Sequence, residues 1–170
     1  MTIKPCTKED IQDLIQVSTQ SYQEHYTYLW EDAGANYMEH NFTAEKFEEE
    51  ISNSNAVFFL IRDGQKYVGF IKLNIDSGVY NFPARTTLEL ERIYFIKEAA
   101  GKGLGKEAIE FVSNYAKQMH KSHIWLKAME SGTAVEFYKK RGFRVIGEIE
   151  LDYINIKSEF KKMFVMALEV

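Results

Sequence analysis

"AGKGLGKEAIEFVSNYA" (residues 100–116) sets Gly101, Gly103 and Gly105 at alternate positions and then runs on in good helix formers. Directly before it, "LELERIYFI" (residues 88–96) has the β-branched and aromatic content of a strand. The chain has 10 glycines in 170 residues, so a cluster of them at a strand-to-helix junction needs a physical reason. Glycine permits φ > 0 and close approach to the backbone, and the first N–H groups of a helix lack intrahelical partners. Adding the helix dipole, the run Gly101, Lys102, Gly103, Leu104, Gly105, Lys106 reads as an anion site, suited to a pyrophosphate.

Two other glycine motifs fail on their own residues. A nucleoside-triphosphate loop needs a Ser or Thr after Gly105-Lys106, where Glu107 stands, and a glycine at Ala100. A dinucleotide fingerprint starting at Gly101 or Gly103 would put its third glycine at Lys106 or Ala108.

Working outward, "TIKPC" reads as a short strand and Thr7 as a helix cap with Asp10 three residues on. Ile11, Leu14, Ile15, Ser18 and Tyr22 then share a helical face. Residues 25–41 are aromatic and without regular period, and Thr43 caps a second helix, "AEKFEEEIS". Two strands flank Asp63-Gly64, a hairpin signal. After the glycine cluster come a helix, the strand "IWLKAM", the short helix "TAVEFYKKR" closed by Gly142, and two final strands. The expected order is β-α-α-β-β-β-α-β-α-β-β: one α/β (α+β) domain over residues 1–170, a mixed sheet covered by helices.

Composition narrows the partners. A net charge of −4 argues against nucleic acid, whose phosphates need a basic face. Cys6 is the sole cysteine and stands far from any His, so it reads as an inert residue in a cytoplasmic protein. No stretch is apolar enough to suggest a membrane span or a leader. His25, His40, His120 and His123 form no metal-ligand pattern, and no metal is expected. Strand edges leave monomer or homodimer open.

"IYFIKEAAGKGLGKEAIEFV" (residues 93–112) followed by "IWLKAMESGTAVEFYKKRGF" (residues 124–143) resembles the GCN5-related N-acetyltransferase (GNAT) superfamily. The likeness spans residues 86–147 well, and the pairing of the two motifs is more specific than either alone. It implies a mostly antiparallel sheet of six to seven strands with helices on both faces, and acetyl-CoA as cosubstrate. It further implies that backbone groups of Ile93, Tyr94 and Phe95 hold the pantetheine arm and that the loop amides of residues 101–106 hold the pyrophosphate. Ala100 stands where the family has Gln or Arg, and Ser131, with Gly132 and Thr133 after it, where an Asn is common. Within the superfamily, "LELERIYFIK", "IWLKAME" and "EFYKKRGF" look most like the bacterial polyamine (spermidine/spermine) branch.

Acetyl transfer from a thioester needs a neutral amine, a polarised carbonyl and a proton for the departing thiolate. Tyr138, at the family's tyrosine position, is the candidate acid, the alternative being packing with Ala134 and Phe137. A backbone N–H of Tyr94 or Phe95 would steady the carbonyl. Glu91, or Glu89 on the same strand face, would take the amine's proton, unless both are simply paired carboxylates. Ser131 and Thr133 are candidate cofactor contacts, and Lys139, Lys140 and Arg141 either reach phosphates or complement a helix end. Tyr26, Tyr28, Trp30, Glu31 and Asp32 suit the border of a cationic acceptor. The expected activity is N-acetylation of a small-molecule primary amine, a polyamine among the candidates. A non-catalytic acyl-CoA-binding module and acetylation of protein N-termini or lysines are the alternatives.

Overall fold

The computed structural model describes all 170 residues as seven strands and five helices. In chain order these are β1 (Thr2–Pro5), α1 (Ile11–His25), α2 (Ala35–Asn41), α3 (Ala44–Ser52), β2 (Ala56–Asp63) and β3 (Lys66–Asn74). Then follow β4 (Thr87–Phe95), α4 (Leu104–Gln118), β5 (His123–Met129), α5 (Ala134–Lys139), β6 (Arg144–Glu150) and β7 (Lys162–Glu169). The strands form one sheet in the order β1-β2-β3-β4-β5-β7-β6, antiparallel except for β4 with β5.

Alternation along β2 shows why helices cover both faces. Phe58 packs edge-on against Phe47 of α3, while Phe59 packs against Phe111 and Tyr115 of α4. Successive side chains point oppositely, so α3 and α4 lie on opposite faces. A sheet buried on both sides explains the near-continuous apolar runs in β2 and β3.

One helix more than expected appears, α2, in the stretch read as irregular. Its start depends on Gly34 at φ +82 and on Asp32, whose carboxylate accepts from the N–H groups of Gly34 (3.0 Å) and Asn36 (2.9 Å). No Ser or Thr cap precedes it, and it buries no residue outright, so apolar periodicity had little to report. Thr43 does cap α3, accepting from the Lys46 N–H at 3.2 Å. Thr7 and Asp10 form a reciprocal capping box, on a short 3₁₀ turn leading into α1. The β2–β3 turn falls one residue later than the Asp63-Gly64 signal, because Asp63 still pairs with Lys66.

Two irregularities of β4 shape the site. Its register with β3 jumps from Lys72↔Arg92 to Leu73↔Leu90, so Glu91 is the extra residue of a β-bulge. Its pairing with β5 stops after Thr87↔His123, Leu88↔Ile124 and Glu89↔Trp125, although both strands continue. β4 and β5 therefore diverge, and a gap opens in the middle of the sheet.

Candidate active site

The glycine cluster resolves into two different requirements. Gly101 (φ +76) and Gly103 (φ +79) adopt the left-handed conformation, and a Cβ on either would meet nothing within 4 Å. Gly105 has ordinary backbone, but a Cβ there would stand 3.2 Å from the Phe137 ring of α5. The first two glycines set the loop's path, and the third lets α5 approach α4. Gly103 caps α4, and its carbonyl accepts from the N–H groups of Lys106 (3.0 Å) and Glu107 (3.2 Å). That leaves the Leu104 and Gly105 amides at the helix mouth without intrahelical partners.

A cavity of about 270 Å³ lies before that mouth, lined by Phe95, Ala100, Gly101, Gly103, Leu104, Gly105, Lys106 and Arg141 among others. Arg141 sits with its guanidinium 3.4 Å from the centre of the Phe137 ring and gives one hydrogen bond to the Phe137 carbonyl at 2.7 Å. Its Nε is buried without a partner, so its donor capacity is not exhausted. Lys102 turns away to Asp63 at 3.0 Å. Neither Lys139, held by Glu136 at 2.8 Å, nor Lys140 lines the cavity.

A second cavity, about 480 Å³, fills the gap between β4 and β5. Glu89, Glu91, Ile93 and Tyr94 of β4 line one side, Lys127, Ala128 and Met129 of β5 another, and Thr133 and Tyr138 a third. His25 lines both cavities, so the two adjoin at the end of α1. Glu24 fixes that end by accepting from the Lys97 N–H at 2.6 Å. The Ile96 N–H goes to the Val68 carbonyl at 2.9 Å, and hydrogen-bonding sides alternate along a strand. Tyr94 therefore turns its backbone groups to β3, and Ile93 and Phe95 turn theirs to the gap.

Tyr138 is 8% exposed, and its ring packs edge-on against Phe137 and Phe143. Burial pushes its phenol well above the usual tyrosine range, which keeps it protonated at neutral pH. Glu91 accepts hydrogen bonds from Lys72 at 2.8 Å and Asn74 at 2.8 Å, with Arg92 at 3.3 Å. Burial alone would raise its carboxyl, but Arg92 and Lys72 hold it below the ordinary value of 4.5. A carboxylate so held is a weak direct base and a good electrostatic neighbour. Glu89 accepts from Asn74 and Ser77, each at 2.9 Å, and faces Lys127 at 3.3 Å. Behind them Glu50 of α3 joins Lys72 (2.9 Å) and Arg92 (3.2 Å).

Of the stretch expected to border an acceptor, Tyr26, Tyr28 and Trp30 line the larger cavity, and Glu31 and Asp32 do not. Asp32 is spent on starting α2. Ser131 is exposed and lines neither cavity, and α5 has no side-chain cap. Sequence reasoning missed His25, Tyr22, Tyr37, Arg92 and Tyr153, all in the larger cavity. Tyr153 arrives on the β6–β7 loop, which pairs with the α1–α2 loop through Trp30↔Ile156 and the Glu31 N–H to the Asn155 carbonyl (2.8 Å). No local pattern announces that contact. Burial lifts the Cys6 thiol to about 12, consistent with an unreactive residue. No helix is long and apolar enough to cross a membrane.

The model of the acetyltransferase (GNAT) family matches residues 20–143. An uncharacterized N-acetyltransferase from the pepI 3′ region of Lactobacillus delbrueckii subsp. lactis is 30% identical over 115 residues, 67% of this chain and 66% of that protein. A second, from Methanocaldococcus jannaschii, is 25% identical over 144 residues, 84% of this chain and 60% of its own length. The matches thus span less than two thirds of either relative. Among solved structures, the paia N-acetyltransferase of Thermoplasma acidophilum, in complex with coenzyme A, superposes with a TM-score of 0.77 at 23% identity, covering 100% of both chains. A mutant spermidine N-acetyltransferase SpeG of Vibrio cholerae gives 0.72 at 17% identity, covering 99% of this chain and 92% of that one. At such identities these two establish the shared fold and nothing finer.

Proposed function

The chain belongs to the GNAT acetyltransferase family, and from that premise we propose that it moves an acetyl group from acetyl-CoA to the primary amine of a small molecule, by direct attack in a ternary complex. The observation that carries this reading is the adjoining pair of cavities, one at the open mouth of α4 and one in the β4–β5 gap, with Tyr138 at the second. Free amides of Leu104 and Gly105, and the Arg141 guanidinium, suit a pyrophosphate in the smaller cavity. Unpaired backbone groups of Ile93 and Phe95 suit the amide-bearing arm of the cosubstrate along the gap.

Acetyl-CoA supplies an activated carbonyl and a thiol leaving group. The chain's own groups do the rest. The Phe95 N–H, on the open side of β4, is the donor for the carbonyl oxygen, in preference to Tyr94, whose N–H turns to β3. As the amine nitrogen bonds to the carbonyl carbon and the carbon–sulfur bond breaks, Tyr138 gives its proton to the sulfur, and the proton the acylated nitrogen then sheds restores the phenol. Glu89 and Glu91 draw the ammonium form toward the site, and its proton leaves through them or through water to solvent.

The polyamine version of this reading rests on the resemblance of the three motifs and on the name of one structural neighbour. The pairing of the cavity's carboxylates does not add to it. Acetylation of protein amines has no observation in its favour over a small molecule, given an acceptor cavity walled on several sides. The test is release of free thiol from acetyl-CoA in the presence of an amine panel, alongside calorimetry with CoA. Thiol release dependent on an amine supports the proposal. CoA binding without turnover on any amine would leave a non-catalytic acyl-CoA-binding module.

A further inference from the structure

The acceptor cavity has an aromatic wall and a charge-balanced floor. Tyr22, Tyr26, Trp30, Tyr37, Tyr94 and Tyr153 form the wall. Each ring braces another: Tyr22 stacks on Tyr37 with centroids 4.7 Å apart, Tyr26 lies 5.1 Å from Tyr94, and Tyr153 stands edge-on to Tyr37 at 5.8 Å. The Trp30 Nε1–H donates to the Tyr22 hydroxyl at 2.9 Å, which spends the indole's one donor and fixes the two rings against each other. Rings locked this way present flat apolar faces at little ordering cost.

On the floor, two carboxylates, Glu89 and Glu91, meet two cations, Arg92 and Lys127, from the same lining. Glu91 is taken by Lys72 at 2.7 Å and Arg92 at 3.3 Å, and Glu89 by Lys127 at 3.3 Å. The next shell repeats the balance, Glu50 lying between Lys72 and Arg92. A ligand with several ammonium groups would have to desolvate each of them against carboxylates that already have partners, and would face Arg92 and Lys127 as like charges. A ligand with one amine and a flat apolar body meets that cost once and gains the rings.

We propose that the acceptor is a monoamine whose primary amine is carried on an aromatic body, and not a polycation. This rests on the acetyltransferase reading and specifies its substrate class. The cavity of about 480 Å³ also takes the thioester end of the cosubstrate along the β4–β5 gap, so the space left beside the tyrosines suits a small acceptor. The amine reaches toward Glu89, Glu91 and Tyr138, and the ring lies among the tyrosines.

The experiment compares phenethylamine with spermidine, by thiol release from acetyl-CoA and by calorimetric binding to the CoA-loaded protein, at about 50 and about 500 mM salt. The expected result is a kcat/KM for phenethylamine at least about tenfold above that for spermidine, with little salt dependence. Tyr153→Ala, at a side chain half exposed and safe to remove, raises the KM for phenethylamine and leaves that for acetyl-CoA unchanged. Spermidine as the better substrate or tighter ligand, or a Tyr153→Ala enzyme with unaltered phenethylamine KM, overturns the proposal. Binding of phenethylamine in preference to spermidine without any thiol release would overturn the catalytic reading and, with it, the role of acceptor, leaving the cavity as a binding site for aromatic amines.

Discussion

Tyr138→Phe removes one oxygen and leaves the ring. Because the ring's contacts with Phe137 and Phe143 persist, no cavity opens, and the change in stability should stay under about 1 kcal/mol. The effect on catalysis is of another order. Burial raises the phenol's pKa, so the wild-type hydroxyl is protonated throughout the working range and available to the leaving sulfur. Losing a positioned acid typically costs about 10²–10⁴-fold in rate, or about 3–5 kcal/mol of barrier. The cost should fall on kcat, with the KM for acetyl-CoA nearly unchanged, since the hydroxyl acts as the carbon–sulfur bond breaks. The sign of the pH dependence follows too. A raised pKa removes any loss of acid function near neutrality, so the rate should climb with pH as the acceptor deprotonates, in the wild type and the variant alike. The assay is steady-state thiol release from acetyl-CoA across pH 6 to 9 with a fixed amine. A variant with wild-type kcat, or one whose loss lies wholly in the acetyl-CoA KM, refutes the assignment and makes Tyr138 a packing residue.

Gly103→Val forces a β-branched residue to φ near +79, at a strain on the order of 2 kcal/mol, and projects its side chain into the open space at the mouth of α4. The variant should melt several degrees lower yet fold, and calorimetry should show sharply weakened CoA binding; unchanged affinity would remove the loop from the anion site. Acid should destabilise the protein partly through Glu91, whose pKa is depressed in the folded state by Arg92 and Lys72. Its contribution is complete above the ordinary value of 4.5 and is lost as pH falls through the lower folded value. Glu91→Gln should therefore flatten the fall of Tm below about pH 4.5, and an unaltered slope would show that the pair contributes nothing to it.

The legible parts of this molecule were those whose cause is local. Thr43 capping α3, Gly142 at φ +88 after α5, and the glycines at the mouth of α4 each act through the backbone within a few residues. A sequence reports such things directly. The larger cavity was illegible for the opposite reason. Tyr22, Tyr37, Arg92 and Tyr153 come from four elements: helix packing on β4 gathers the first three, and the β6–β7 loop, docked on the α1–α2 loop, adds Tyr153. The carboxylates of residues 26–50 are illegible in the same way. Asp32 serves α2, Glu48 pairs with Lys8 at 2.9 Å, and Glu50 is buried against Lys72 and Arg92. Charge in a sequence says nothing of which partner will neutralise it.

The bulge at Glu91 shows how much one residue can decide. By strict alternation, Glu89, Glu91, Ile93 and Phe95 would share a face of β4, and the reading of Glu89 and Glu91 as neighbours follows from that rule. The extra residue preserves their neighbourhood and then shifts the phase. Arg92 thus joins Glu91 on the side of Lys72 and Glu50, and Tyr94 follows, packing against Tyr22 and Phe70. Without the shift, Arg92 would point toward α4 and leave the carboxylates of the floor with one buried cation fewer. Tyr94 would leave the aromatic wall, and Phe95 would turn its backbone amide to β3 in place of the gap. The open strand edge, the balanced floor and the ring-lined wall are therefore consequences of a single insertion in β4, acting together with the divergence of β4 from β5.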